Sequence, residues 1–532
     1  VSVEAQPKAS WWLAQVVQAA FCASLAVPAV LYFIWSWRWP LVGDASLIHY
    51  IVFLTEHGMA PYRDLGDMNM PGSFLIEMAA MHVFGMGDLG WRLFDFALMA
   101  ASAASFFAIP GRRNWQAGLF ASSLFIVIHG RDGLAEGGQR DLTMAVCLIA
   151  ATAFLFVSVR RRWAWAAGAF GLLSGIAVTI KPTALPLTVV QLALAVAFLR
   201  RCVRLGFPAR TTAPRRYVVP ASLAYLVAPA VAFVFLLRQH ALAAFLQGFH
   251  GILPYYASLG HRSFAFVLLH SMSPLLPLVL IWFALLAVSP SSFEWKLWER
   301  NALLAGIVFG VLACVVQQRA LPYYRYPLLA FLLPLMGMDF TKALRVRVDT
   351  GVQATAAGCL ALAGLCVGGF FLAPQSAVIF HRYRWWETDF ISTLEARLEA
   401  LGGAKLSGQV QCIDSISGCG NVLYRMRLIP ATGVLSDFLL FGPDNVPVVK
   451  QTQREFAAAM RAHPPRVIVV TSHLHIDGPD EYKKLDRWPE FEMFLKNEYT
   501  LDTEWAPHRT ARWWSREETP AGYRVYVLRR GL

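Results

Sequence analysis

Apolar runs of roughly membrane-spanning length recur through the first two thirds of the chain, separated by short polar turns. A helix rises 1.5 Å per residue, so about 20 apolar residues cross a hydrocarbon core of about 30 Å. Crossings are predicted on that measure at residues 11–37, 89–109, 115–130, 140–159, 163–180, 183–199, 217–237, 264–288, 301–317, 326–341 and 351–373. The first run, Trp11 to Trp37, exceeds a signal-peptide core and has no small-x-small cleavage site before Arg38, so it reads as an uncleaved first transmembrane helix. One further run, Pro71 to Phe84, is ambiguous by length. Counting it as a crossing puts the basic loops at Arg112-Arg113, Arg160 to Arg162 and Arg200 to Arg216 outside, against the positive-inside rule, so it is assigned to a helix at the outer interface.

About eleven crossings then place the N-terminus in the cytoplasm and the C-terminus outside. Outer segments fall at 38–88, 131–139, the Lys181-Pro182 turn, 238–263, 318–325 and everything after Pro374. From about Ser376 the pattern changes: charges become frequent and short apolar runs alternate with amphipathic ones. Val410 to Ile413, Arg466 to Thr471 and Tyr523 to Leu528 read as strands, and Glu387 to Leu401 and Thr452 to Ala462 as helices. The expected fold is a polytopic α-helical membrane domain over 1–375, with interfacial helices in the outer loop 40–88, followed by a soluble α/β domain over 376–532.

Composition agrees with this pattern. The 532 residues are 57% hydrophobic and 15% charged, with mean hydropathy +0.47, where soluble proteins carry about 25% charged residues. The net charge of +13 invites a nucleic-acid reading, but the basic residues lie in short loops between apolar helices, so no nucleic-acid partner is implied. The 18 tryptophans suit interfacial belts. Six of the eight cysteines lie in apolar spans or a basic loop. Cys412 and Cys419 lie in the C-terminal domain, where either a disulfide in an oxidising compartment or two buried thiols fits.

Ionisable residues at membrane depth are costly and tend to mark a site or path. Several fall on the outer side. Asp44 opens the first outer loop, followed by Tyr62, Arg63, Asp64 and Asp67 in APYRDLGDMNMPG. The second loop, GRDGLAEGGQRDL, supplies Arg131, Asp132, Glu136, Arg140 and Asp141. Lys181 precedes Pro182 at another outer helix end, and QQRALPYYRYPLL adds Arg319, Tyr323, Tyr324 and Arg325. A carboxylate can take the proton of an attacking hydroxyl, and arginine, lysine and tyrosine can hold a departing phosphate. Simpler roles compete: Lys181 and Arg325 as interfacial anchors, Asp64 and Asp67 as turn residues. The HLHID run (His473, His475, Asp477) is a weak metal pattern on a surface loop.

The ordered set GDASLIHY, HGMAPYRDLGDMNMPGSFLIEMAAMHVFG, GQRDLTMAVCLIAATAFLF, GLLSGIAVTIKPTALPL and YYRYPLLAFLLPLMG spans most of residues 40–340. It resembles the GT-C superfamily of polytopic glycosyltransferases, particularly the branch of protein O-mannosyltransferases and lipid A aminoarabinose transferases. The resemblance implies a membrane-embedded cavity, a polyprenyl-phosphate-linked sugar donor and inversion at the anomeric carbon. The family's catalytic acidic residue falls on Asp44, and its second-loop acidic residue on Asp141 or Glu136. Asn69 and Met70 stand where the aminoarabinose transferases carry an acidic residue and a lysine before proline. The phosphate-binding cation is then expected from Arg63, Lys181 or Arg325, and a divalent metal is left open.

The expected function is transfer of a sugar from a polyprenyl-phosphate donor to a glycan, lipid or protein acceptor at the periplasmic face of a bacterial inner membrane. Asp44 serves as base, with Asp141 sharing or positioning. Lys181, Arg325, Tyr323, Tyr324 and Arg63 hold the donor phosphate. Tyr62, Glu136, Arg140, His250 and Tyr255 line the substrate, and loop 238–263 is long enough to close over it. The alternatives are a transporter or flippase of lipid-linked saccharide and a non-catalytic scaffold. The sequence shows none of the inverted repeats or midplane helix breaks expected of a transporter.

Overall fold

A computed structural model describes residues 8–207, 213–288, 297–319, 321–345, 352–381, 387–474, 478–507 and 521–529. The chain divides into two compact units. One comprises residues 1–39, 92–230 and 262–383, the other 40–91, 231–261 and 384–532. The sequence pattern draws a single boundary after residue 375, whereas this division gathers residues 40–91 and 231–261 with the C-terminal region.

Among the described residues seven helices are individually long and apolar enough to cross a membrane: Gln15–Ser36, Arg140–Arg161, Pro182–Arg204, Arg215–Arg238, Trp298–Val316, Pro322–Leu344 and Val352–His381. Two bent pairs raise the number to nine if each pair is one span: Asp88–Ala108 with Arg112–Asp132, bent by 104°, and Phe264–Met272 with Leu276–Val288, bent by 92°. Helix Ala164–Ile180 is apolar but only 17 residues long. The sequence pattern counts 89–130 as two crossings, and the structure puts a sharp corner there, at Pro110 and at Gly111 with φ +75°. It reads 264–288 as continuous, but Pro274 lies within the break and Pro277 at the second position of the following helix, where a missing N–H and the ring interrupt a helix.

Helix pairs in the first unit approach closely where glycines repeat every four residues. A side chain at Gly171 would meet the Ala221 carbonyl at 1.9 Å, and one at Gly175 the Tyr225 carbonyl at 2.3 Å. Gly306 and Gly310 do the same between Trp298–Val316 and the helix Tyr326–Arg345, meeting Phe331 at 2.2 Å and Leu328 at 2.4 Å. Small residues let backbones touch where lipid supplies no hydrophobic drive for association. One end of this unit carries the basic loops. There Arg160 pairs with Glu299 at 2.6 Å and donates to the Ile109 carbonyl. Asp339 accepts from Arg300 at 2.5 Å and from Trp282 at 2.8 Å, tying three helices together.

In the second unit, the four-stranded sheet has the order β1-β2-β6-β5, with β1 (Val410–Ile413) parallel to β2 (Val467–Thr471). β6 (Tyr523–Leu528) runs antiparallel to β2 and to β5 (Tyr499–Trp505). A short pair, β3 (His473–Leu474) and β4 (Gly478–Pro479), stands apart. All three strands predicted from sequence are present. Helices Pro447–Ala462 and Pro489–Glu498 cover the sheet through Phe456, Met460, Trp488, Phe491 and Leu495. Lys484 is fully buried. Its ammonium donates to Asp437 at 2.7 Å, Thr471 Oγ1 at 3.1 Å, and the carbonyls of Ile413 and His473 at 3.0 and 2.7 Å. A disulfide joins Cys412 to Cys419.

Residues 40–91 are part of this unit. Helix Gly43–Glu56 packs on helix Cys419–Arg425, and Tyr50 donates to the Leu428 carbonyl at 2.9 Å. Asn421 donates to the Leu41 carbonyl at 2.7 Å, and Arg425 pairs with Asp88 at 3.1 Å. Pro71 sits at the first position of helix Pro71–Phe84, where its missing N–H costs nothing, and Gly85 at φ +94° ends it. At 14 residues this helix is too short to span a bilayer core.

Candidate functional site

The turn between helices Trp115–Asp132 and Arg140–Arg161 organises the polar residues of the first unit. Gly133 at φ +102° stops the first helix, a single 3-10 turn follows at Leu134–Glu136, and Gly138 at φ +62° redirects the chain into the second. Left-handed backbone at both points is open to glycine without steric cost. The result is a tight, largely buried turn carrying three carboxylates, Asp132, Glu136 and Asp141.

Each end of the turn meets a cation from another helix end. Both oxygens of Asp141 accept from the Lys181 ammonium at 2.7 Å, and Gln317 Oε1 accepts from the same group at 3.2 Å. Lys181 reaches this position because the backbone leaves helix Ala164–Ile180 in an extended conformation just before Pro182. Its ammonium lies 5.0 Å above the centre of the Tyr324 ring, within cation–π range. Asp132 is paired with Arg325, which closes the short turn Pro322–Arg325 together with the buried Tyr323 and Tyr324. Cys314 donates to the Tyr324 carbonyl at 2.9 Å and holds that turn against helix Trp298–Val316.

A third cluster is absent from the sequence expectation. Asp95 is wholly buried in helix Asp88–Ala108. Its carboxylate accepts from Tyr32 at 2.5 Å and from the Gly138 amide at 3.1 Å, lies 3.0 Å from His129 Nε2, and pairs with Arg92. His129 Nδ1 is 2.7 Å from the Tyr326 hydroxyl. The available signal is an Arg and an Asp three residues apart inside an apolar helix, a costly combination unless each finds a partner. The partner residues come from four other segments, so sequence spacing does not reveal them.

Exposure separates Lys181 from Arg325, two of the three predicted phosphate-binding cations. The Lys181 side chain is 23% exposed and the Arg325 side chain 2%. Of these two, Lys181 keeps exposed side-chain surface beside its pairing with Asp141, while Arg325 is buried against Asp132. Arg140 lies partly buried at the start of its helix, and Glu136 is buried within the turn.

The remaining predicted residues belong to the second unit. Asp44 sits half-buried in the first turn of helix Gly43–Glu56, where a carboxylate complements the helix dipole. Tyr62 has φ +68°, donates to the Asn69 carbonyl, and sets its ring against Phe74 and Phe245. Asp67 accepts from the Asn69 amide at 2.5 Å, so Asn69 is a fixed corner of the loop. Arg63 pairs with Asp64 at 2.7 Å and donates to the Gln239 carbonyl at 3.1 Å. The Arg63 guanidinium's hydrogen bond to Asp64 holds that carboxyl below the usual carboxylate range. Loop 238–263 contains helix Leu242–Ala257, in which His250 is exposed beside Phe249. Tyr255 is buried and donates to the Phe438 carbonyl at 3.2 Å. His49 Nδ1 is 2.6 Å from Glu77 Oε1 without hydrogen-bond alignment, and lies 3.1 Å from the Ala45 carbonyl.

Among the described residues no group of three or more His, Cys, Asp and Glu side chains is placed to hold a metal ion. In the HLHID run His473 lies in β3, and His475 and Asp477 fall outside the described residues.

No family model matches the chain, and no curated protein matches it in sequence. Solved structures do match. ArnT from Cupriavidus metallidurans in the apo state superposes with a TM-score of 0.57 at 15% identity, over 98% of both chains. The chain has an ArnT-like fold. The same ArnT bound to undecaprenyl phosphate gives 0.56 at 12% identity, again over 98% of both chains. The Archaeoglobus fulgidus oligosaccharyltransferase tethered to an acceptor peptide gives 0.51 at 12% identity, over 93% of this chain and 74% of its own. This ArnT-like architecture of apolar helices with a small C-terminal sheet is the one the sequence resemblance to GT-C enzymes implies.

Proposed function

We propose that this chain is a membrane glycosyltransferase that takes its sugar from a polyprenyl-phosphate-linked donor. The observation that carries the reading is the turn at 131–141. Asp132 and Asp141 are each matched by a cation there, and Lys181 is partly open above the Tyr324 ring. Two proteins of this fold are described with an undecaprenyl phosphate and with an acceptor peptide, which supports a lipid-linked donor and a separate acceptor.

In the proposed reaction a carboxylate takes the proton of the acceptor hydroxyl as its oxygen attacks the anomeric carbon. The bond from that carbon to the phosphate oxygen breaks, its electron pair leaves with the phosphate, and the configuration inverts. Asp44 is assigned the base role on its sequence position after the first helix. Lys181 meets the departing phosphate, exchanging part of its contact with Asp141 for it. Arg325 acts by holding the turn through Asp132, and Tyr323 and Tyr324 shape the floor. Tyr62, Arg63, Glu136, Arg140, His250 and Tyr255 are retained as candidate substrate contacts. Residues 1–375 form the transferase proper and 376–532 an accessory domain.

The same reading puts the 131–141 turn on the periplasmic side of a bacterial inner membrane, with the N-terminus in the cytoplasm. Helix Arg140–Arg161 separates the turn from the basic residues Arg160 to Arg162, which supports that orientation. The Cys412–Cys419 disulfide supports an oxidising compartment for the C-terminal domain. The test is transfer from a set of polyprenyl-phosphate sugars by the purified full chain. Asp44→Asn and Asp141→Asn are each expected to lose about a hundredfold or more in rate. Full transfer by both variants refutes the assignment.

A further inference from the structure

Away from these residues, the C-terminal domain has a groove of about 590 Å³ between helix Pro447–Ala462 and the start of helix Pro489–Glu498. Lys450, Arg454 and Arg461 stand on one stripe of the first helix, four and seven residues apart, and Arg487 faces them from the opposite wall. Ala457 and Ala458 lie on the same wall, Phe494 gives the groove a partly exposed aromatic ring, and Trp488 and Phe491 also line it but are almost wholly buried in the core. Only Asp444 and Glu490 contribute negative charge. Lys450, Arg454 and Arg461 are exposed and make no ion pair or hydrogen bond among the described residues. Like charges spaced four apart on a helix repel, so the stripe costs stability unless something neutralises it.

The chemistry selects the occupant. The apolar face of helix Pro447–Ala462, with Val449, Phe456 and Met460, is already buried in the protein. The helix therefore has no free apolar face to lay into a bilayer, as a membrane-surface helix requires. The cations surround a concavity within the size range of small-molecule sites. We propose that this groove binds an oligosaccharide carrying carboxylate or phosphate groups. The acid groups pair with Arg454, Arg461 and Lys450, and a less polar ring face lies against Phe494. The further assignment, that this saccharide is or belongs to the acceptor, rests on the transferase reading.

The test is equilibrium binding of oligogalacturonate to the full chain in detergent micelles without donor, against its methyl-esterified neutral form. The acid form is expected to bind saturably, and the ester at least about tenfold more weakly, the scale of one charge-assisted hydrogen bond. Arg454→Glu/Arg461→Glu is expected to weaken the acid form at least about tenfold, whereas Lys405→Glu, at an exposed residue outside the groove, leaves it unchanged. Equal affinity for acid and ester, or equal loss in the Lys405→Glu variant, overturns the proposal. So does equally effective competition by sugar-free phosphatidylglycerol vesicles, which assigns the groove to lipid phosphate. Donor turnover is measured separately. Binding without turnover of any lipid-linked sugar refutes the transferase reading and leaves the groove standing. Turnover without binding refutes the groove alone.

Discussion

Asp141→Asn tests the ion pair at the centre of the proposed site. The Asp141 side chain is 2% exposed and both its oxygens lie 2.7 Å from the Lys181 ammonium. Removing one partner of a buried pair costs about 3–5 kcal/mol because the other charge is left unpaired. Lys181 keeps Gln317 as an acceptor and is 23% exposed, so water recovers part of that loss. The expected cost is at the low end, about 3 kcal/mol. Asp141→Asn/Lys181→Met removes both charges and should leave a deficit of about 1 kcal/mol, about 2 kcal/mol less than the single Asp141→Asn variant. Activity should follow a different pattern. If Lys181 stabilises the leaving phosphate, the double variant stays about a hundredfold or more below wild type even though its stability returns. Denaturation of the detergent-solubilised chain and transfer from a lipid-linked donor measure the two quantities side by side. The reasoning fails if Asp141→Asn shifts stability by less than about 0.5 kcal/mol, or if the double variant regains wild-type transfer.

Three further outcomes are expected. Gly171→Ala puts a methyl group 1.9 Å from the Ala221 carbonyl, whereas at Gly168 the nearest atom is 3.9 Å away. The first should cost about 1–3 kcal/mol by overpacking and the second should be neutral or stabilising, and thermal denaturation of the two proteins compares them directly. Lys484→Met leaves Asp437 charged and buried without its partner, so unfolding of the C-terminal sheet, followed by amide exchange, should become easier by about 3–5 kcal/mol. At the surface, the Arg397 guanidinium hydrogen-bonds Asp502 and holds its carboxyl below the usual range. The lowered folded value means this contribution is complete above about pH 4, the unfolded value, and is lost as pH falls through the folded one. Asp502→Asn should therefore unfold more easily than wild type at neutral pH, and the two should converge in acid.

The membrane class and the C-terminal strands were legible because each rests on local pattern. Spanning length, period-two alternation and charge at helix ends are properties of short segments. Val410–Ile413, Val467–Thr471 and Tyr523–Leu528 fall where the alternating apolar runs put them. Less legible was the continuity of the spans. The break near Pro274, inside a run the hydropathy pattern reads as one span, depends on how neighbouring helices receive a freed backbone group, whereas the corner near Pro110 and Gly111 falls where the pattern already separates two runs.

What the sequence determined by itself is which residues are expensive to bury: Asp132, Glu136 and Asp141 in one turn, Lys181 and Arg325 at helix ends. What the tertiary structure alone decided is how each cost is met. Arg325 is consumed by Asp132, Lys181 is shared between Asp141 and open space, and Asp95 draws partners from Tyr32, Arg92, His129 and Gly138. The physical reason is that a buried charge is satisfied by whatever lies within about 3 Å of it, and in a helical bundle those neighbours come from helices distant in the chain.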